Sequence, residues 1–176
     1  MSEEKVLTKE IAEQFLKDDS VKLETYSKID DDAAEALSHS SGTLFLDGLT
    51  ELSDAAAESL ASTKQSMFLR GIKKLSVNAA KSFSKHQHSN GKQGGGGNYF
   101  LFNGLTELPE CLAERLSKET TVDLPNIKSI SPTAAESLSW QDYHYAKLNL
   151  SGLEELCDDS AENLSWHCGK LDISGV

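Results

Sequence analysis

Several residues of this chain are of types that permit catalysis or ligand binding. They are the histidines, the cysteines, the carboxylates and a lysine near a run of glycines. Lys92 precedes the glycines at 94–97, whereas a phosphate-binding loop places its lysine after the glycines and before Ser or Thr. His86 and His88 could share a metal ion, but no cysteine or acid lies near them in sequence to complete a ligand set. A solvated loop is therefore the favoured interpretation of this insertion, residues 84–98.

Glutamates recur in a column along the chain, at Glu13, Glu35, Glu58, Glu114, Glu136 and Glu162. Catalytic carboxylates work as pairs whose environments separate their pKa values, and a uniform column offers no such pair. The column predicts a solvated helix face instead. The three cysteines are odd in number and irregularly spaced, which argues against a disulfide framework. We expect no catalytic residue, no cofactor and no metal site.

The charge balance narrows the class of partner. The chain carries 17 basic and 28 acidic side chains, a net charge of −11. Nucleic acids and anionic membranes attract basic surfaces, so neither is expected as a partner. No apolar run approaches the ~20 residues of a membrane-spanning helix, and residues 1–5 lack the basic-then-apolar order of a signal peptide. With cysteines that suit a reducing compartment, these features predict a cytoplasmic protein.

An internal repeat defines the elements that must position any site. Counting Leu44 as position 1, apolar residues fall at positions 1, 3, 6, 9, 13, 14 and 17, and this pattern recurs along almost the whole chain. Position 1 is filled by Val21, Leu44, Met67, Phe100, Val122, Leu148 and Leu171. Position 14 is always alanine, at Ala12, Ala34, Ala57, Ala80, Ala113, Ala135 and Ala161. Seven aligned copies of such a pattern do not arise by chance.

The spacing within each repeat predicts a short strand, a corner and a short helix. Positions 1 and 3 alternate as in a strand, and positions 9, 13, 14 and 17 share one helical face. Position 10 holds Thr, Asp or Ser in five copies, as a helix N-cap would. Position 5 is glycine in five copies, which suggests positive φ or close backbone approach. Strands one repeat apart must run parallel with a right-handed crossover. The fold class expected is α/β.

The stretch from Val122 to Ile130, with Leu124-Pro125 in its strand, resembles the bacterial BspA-like leucine-rich repeats. The resemblance covers residues 7–176 and implies a right-handed solenoid that serves as a protein-recognition scaffold. We expect one domain over 1–176. Its parts are a capping helix at 7–17, full repeats at 21–42, 44–65, 67–98, 100–120, 122–146 and 148–169, and a terminal strand at 171–176.

The concave sheet face of such a solenoid is its natural binding surface. Because positions 1 and 3 face the core, positions 2 and 4 face outward. Position 2 brings Phe45, Phe68 and Leu101 onto consecutive rungs, with Tyr99 beside them and Arg70 at position 4. An exposed apolar patch of this kind often marks a partner surface. The alternative is that a loop covers the patch or that the rings stack to stabilise the sheet.

A second group of aromatic residues follows two helices, at Trp140, Tyr143, Tyr145 and Trp166. Aromatic side chains at consecutive repeat corners are expected to pack on one another along one edge. The functional alternative is a second recognition patch.

These features predict a non-catalytic scaffold for protein–protein interaction, with an unknown protein partner. Two alternatives stay open. The chain could be a structural or self-assembling module that pairs through its open C-terminal edge strand, or the recognition part of a larger effector or enzyme.

Overall fold

The computed structural model describes residues 4–18, 20–85, 100–119, 121–140 and 146–176. Within these residues the chain forms seven α-helices and short parallel strands, which confirms the predicted α/β class. No helix in this part of the chain has the length and apolar character needed to cross a membrane. The chain divides into two compact units, residues 1–102 and 103–176, with the boundary inside the predicted repeat 100–120.

The first unit alternates strands with helices along the chain. Its strands are β1 (Val6–Leu7), β2 (Lys28–Ile29), β3 (Leu44–Phe45), β4 (Met67–Phe68) and β5 (Phe100–Leu101). Its helices are α1 (Lys9–Lys17), α2 (Asp31–Ser38), α3 (Asp54–Ala61) and α4 (Val77–Ser84). Each helix packs against the next one in sequence, and β3, β4 and β5 form one sheet in that order.

The second unit repeats the same arrangement. Its strands are β6 (Thr121–Asp123), β7 (Lys147–Asn149) and β8 (Lys170–Asp172), which pair in that order in one parallel sheet. Its helices are α5 (Glu110–Leu116), α6 (Pro132–Ser139) and α7 (Asp158–Ser165), and each packs against its neighbour in sequence.

The strand register follows the repeat. Leu44 pairs with Met67 and Met67 with Phe100 in the first unit. Val122 pairs with Leu148 and Leu148 with Leu171 in the second. These partners are the position-1 residues of successive copies, so the alignment made from the sequence matches the register of both three-stranded sheets.

One predicted strand is wrong. The copy that begins at Val21 forms a 3-10 helix over Leu23–Thr25 where the repeat predicts a strand. Thr25 replaces the glycine of position 5, and its hydroxyl donates to the Lys22 carbonyl at 2.8 Å, which closes a local turn. Leu23 is nonetheless buried, as position 3 requires. A strand pair that the repeat did not predict, β1 with β2, forms at positions 8 and 9.

The alanine column allows neighbouring helices to approach closely. Six of its seven members are fully buried, namely Ala12, Ala34, Ala57, Ala80, Ala113 and Ala135. The seventh, Ala161 on α7, is exposed, against the expectation. The adjacent Ser160 is fully buried and donates to the Ile130 carbonyl at 3.0 Å.

The glycines of position 5 are required by close backbone approach. A Cβ on Gly71 would lie 2.4 Å from the carbonyl oxygens of both Asp47 and Leu49 in the preceding repeat. A Cβ on Gly152 in the second unit would lie 2.0 Å from the Pro125 carbonyl oxygen. Neither glycine has a positive φ, so of the two reasons suggested by the sequence, close approach is the one that applies.

Serine caps join three of the helices, α3, α4 and α6, to the helix before each. The residues expected as N-caps all occupy that place, but side-chain caps form only at Ser53, Ser76 and Ser131, whose hydroxyls accept from the backbone N–H three residues on. Each of these hydroxyls also donates to an acidic residue in the first turn of the preceding helix. The acceptors are Asp31, Asp54 and Glu110. One serine therefore satisfies a helix terminus and binds two repeats together.

The junction between Ser76 and Asp54 is expected to depend on pH. Hydrogen bonds from the Ser76 hydroxyl and the Asn78 amide lower the pKa of the Asp54 carboxyl. A carboxyl whose pKa is lower in the folded state stabilises the fold above its ordinary pKa, and that contribution is lost as pH falls through the lowered value. Between pH 7 and about pH 3, we expect the urea midpoint of Asp54→Asn to fall less than the urea midpoint of the wild type. Asp32→Asn, which removes an exposed first-turn charge from α2, is the control. Equal losses in Asp54→Asn and the wild type would contradict the assignment.

Candidate functional site

The outward face of the β3–β4–β5 sheet carries a ladder of apolar side chains, formed by Phe45, Phe68 and Leu101. Backbone pairing places Phe68 beside Phe45 and Leu101 beside Phe68. The two phenyl rings stack, with centroids 4.9 Å apart and planes inclined by 18°. Phe45 is 50% exposed, whereas Leu44 and Leu46 on either side of it are fully buried. The alternation of the strand therefore directs the Phe45 ring into solvent.

A charged pair borders the ladder. The Arg70 guanidinium lies over the Phe68 ring, 4.9 Å from its centroid, in a cation–π contact. Its Nη1 is 3.6 Å from Asp47 Oδ2, and the Arg70 backbone N–H donates to Asp47 Oδ1 at 3.2 Å. The Arg70 side chain is about half exposed. Phe68 thus lies between Phe45 and Arg70, whereas the Phe45 ring contacts only Phe68 in this group.

A cavity of about 510 Å³ adjoins Phe45. Its apolar wall consists of Phe15, Leu16, Val21, Leu23 and Phe45. The rest of the cavity lining consists of Lys22, Glu24 and the loop 40–43 between α2 and β3. This volume lies within the range of small-ligand pockets, about 300–1,000 Å³, and is ample for a bulky apolar side chain of a partner. The repeat pattern gave no sign of the cavity, because it lies between elements rather than on one face.

In the second unit position 2 is polar in every copy, at Asp123, Asn149 and Asp172. Asp123 accepts from the side-chain amides of Asn103 at 2.5 Å and Asn149 at 2.6 Å. Asn149 Oδ1 in turn accepts from the Ser151 N–H at 3.0 Å. These side chains hold one another across neighbouring strands, so this face offers no apolar anchor comparable to the ladder.

Two tryptophans protrude from the second unit. Trp140 is 74% exposed and Trp166 is 69% exposed. Each is the residue that ends a helix, Trp140 after α6 and Trp166 after α7. The expected packing of aromatic residues along this edge would bury these rings, and their exposure favours the alternative of a recognition patch. Tyr143 and Tyr145 of this patch, and Tyr99 beside the ladder, lie outside the described residues.

Within residues 4–18, 20–85, 100–119, 121–140 and 146–176, no three His, Cys, Asp or Glu side chains are grouped to hold a metal. His86 and His88 lie outside these ranges. Hydrogen bonds with the Ser160 side chain and backbone lower the pKa of the Cys157 thiol. Cys157, Cys111 and Cys168 are free thiols.

Comparison of the chain with protein-family models, with curated proteins and with solved structures found no match.

Proposed function

We propose that both units are built from coils of a right-handed, leucine-rich-repeat-like solenoid related to the BspA-like variety, and that the chain is a non-catalytic scaffold for protein–protein interaction. The ladder of Phe45, Phe68 and Leu101 is the proposed partner-binding surface, with Arg70 at its border. A protein partner fits this surface better than nucleic acid or an anionic membrane, because the chain is acidic.

The observation that carries the proposal is the stacked pair of Phe45 and Phe68 on an outward strand face. Aromatic residues and arginine are enriched among the residues that dominate binding energy at protein interfaces. The half-exposed Phe45 also forms a wall of the 510 Å³ cavity, so a partner that covers the ring can place a side chain in a concave site. Anchors of this kind bind well when a pocket excludes water around them.

Self-assembly is the second candidate, because β8 has a strand partner on only one side in the described residues. A copy paired there would bury the exposed Val176 and Ala161. A molecular mass that rises with protein concentration is the result expected from this candidate. A recognition role within a larger effector or enzyme is also compatible with the ladder. It differs from the scaffold role only in requiring a further domain in the same protein. The free thiols are in keeping with the predicted cytoplasmic location.

Site-specific photo-cross-linking in the native host tests the ladder directly. With benzoylphenylalanine in place of Phe45, we expect a discrete cross-linked partner band. The same group in place of Val77, an apolar residue 65% exposed on α4, is the matched control and is expected to give none. Equal cross-linking from both positions, or none from position 45, would contradict the proposal.

A further inference from the structure

The helix ends of the second unit carry two exposed tryptophans that the repeat does not require. Counting from position 1, Trp140 and Trp166 both occupy position 19, just after the helix. The same position is exposed and polar in the other copies, at His39, Ser62, Lys85 and Lys118. The fold therefore accepts a polar residue there, and two indoles that are 74% and 69% exposed contribute little to the core. Large exposed aromatic side chains are characteristic of binding surfaces.

An exposed glutamate precedes each tryptophan by one helical turn. Glu136 lies four residues before Trp140, and Glu162 lies four residues before Trp166. Residues at this spacing share a helix face, and the later side chain leans back toward the earlier one. Each helix end thus carries an exposed indole about one turn after an exposed carboxylate. Because α6 and α7 pack together, the two Glu–Trp pairs belong to neighbouring helices about 8–10 Å apart.

The charge of the second unit favours a cationic partner. Residues 103–176 contain 13 acidic and five basic side chains, a net charge of −8, whereas residues 1–102 contain 15 and 12, a net charge of −3. Most of the negative charge therefore belongs to the unit that carries the tryptophans. Indole is the best aromatic partner for a cation, and the arginine guanidinium both stacks on aromatic faces and pairs with carboxylates.

We propose that Glu136–Trp140 and Glu162–Trp166 form a binding surface for a basic, arginine- or lysine-bearing protein segment. One cationic side chain stacks on each indole and pairs with the neighbouring carboxylate. The surface belongs to the second unit and needs no residue of the Phe45 ladder, so it stands or falls independently of the function proposed above.

Binding of a defined basic peptide by the full chain tests the proposal. The probe is a fluorescein-labelled peptide of alternating arginine and glycine, and its binding is measured by fluorescence anisotropy at physiological salt. Lysine–glycine and glutamate–glycine peptides are measured for comparison. We expect the arginine peptide to bind more tightly than the lysine peptide and the glutamate peptide not to bind. Trp140→Ser and Trp166→Ser, which leave the net charge unchanged, are each expected to weaken binding about three- to tenfold. Circular dichroism of both variants should match the wild type, because the indoles are exposed.

A matched pair of charge variants separates the surface from general electrostatic attraction. Glu136→Gln with Glu162→Gln should weaken binding several-fold, whereas Glu35→Gln with Glu58→Gln removes the same charge from the same column and should change it less than about twofold. Equal effects of the two pairs, or wild-type affinity in the tryptophan variants, would overturn the proposal. So would a shift of tryptophan emission with phosphatidylcholine vesicles and none with the peptide, since the chain has only these two tryptophans.

Discussion

Replacing both stacked rings of the ladder, in Phe45→Ser with Phe68→Ser, should abolish partner binding while the chain stays folded. Truncating a central aromatic anchor commonly costs 2 kcal/mol or more of binding free energy, so the double variant should weaken affinity by about 100-fold or more. The fold should survive because Phe45 is half exposed and the ring pair contributes only about 0.5–1.5 kcal/mol beyond its buried area. The measurement is a titration of the partner captured by cross-linking, or of a peptide selected against the wild type.

Val77→Ser is the control for this result. It removes an exposed apolar side chain from α4, away from the sheet face, and should leave affinity within about twofold of the wild type. If the double variant unfolds, Phe45 and Phe68 act as core residues and the ladder is not a binding surface. If it stays folded and binds as the wild type does, the partner binds elsewhere.

The second large effect concerns the stacking of repeats. Gly71→Ala should destabilise the first unit by about 3 kcal/mol, because its Cβ would meet two backbone carbonyl oxygens that cannot move aside as a side chain would. Those oxygens belong to Asp47 and Leu49, 2.4 Å from the new Cβ. The free energy of unfolding from urea titration, followed by circular dichroism, measures the loss.

Gly42→Ala is the matched control, because a Cβ on Gly42 would meet no atom within 4 Å. We expect its stability to lie within about 0.5 kcal/mol of the wild type or slightly above it, since alanine restricts the unfolded chain. Equal stability of the two variants would mean that the repeats do not approach each other as closely at Gly71 as the structure has them.

Much of the fold could be predicted because the repeat encodes it many times over. The alternation at positions 1 and 3 gave the buried sides of β3 and β4, and so the outward direction of Phe45. The 3-10 helix at Leu23–Thr25 could not be predicted by averaging copies, because it occurs in one copy, in which threonine replaces the glycine of position 5. The exposure of Ala161 is likewise a departure of one copy from a column that is buried in the six others.

The candidate sites also differ in how far the sequence predicts them. The ladder was predictable from strand alternation. The serine junctions also have a signal in the sequence, because an acidic residue lies 22 residues before both Ser53 and Ser76. The cavity beside Phe45 was not predictable, because its wall comes from three separate segments. The spacing of the repeat places the two tryptophans at equivalent positions, but it does not predict their exposure.

The central claim is that neighbouring repeats lie in register, so that Phe45 and Phe68 are adjacent on one outward face. Disulfide formation measures this most directly, in a chain whose native cysteines are replaced by serine. Phe45→Cys with Phe68→Cys places two Cα atoms on adjacent strands, about 4.8 Å apart, within the range that a disulfide spans. We expect this pair to cross-link under mild oxidation, and Phe45→Cys with Leu101→Cys, two strands apart, to stay reduced. Cross-linking of the second pair but not the first would contradict the account.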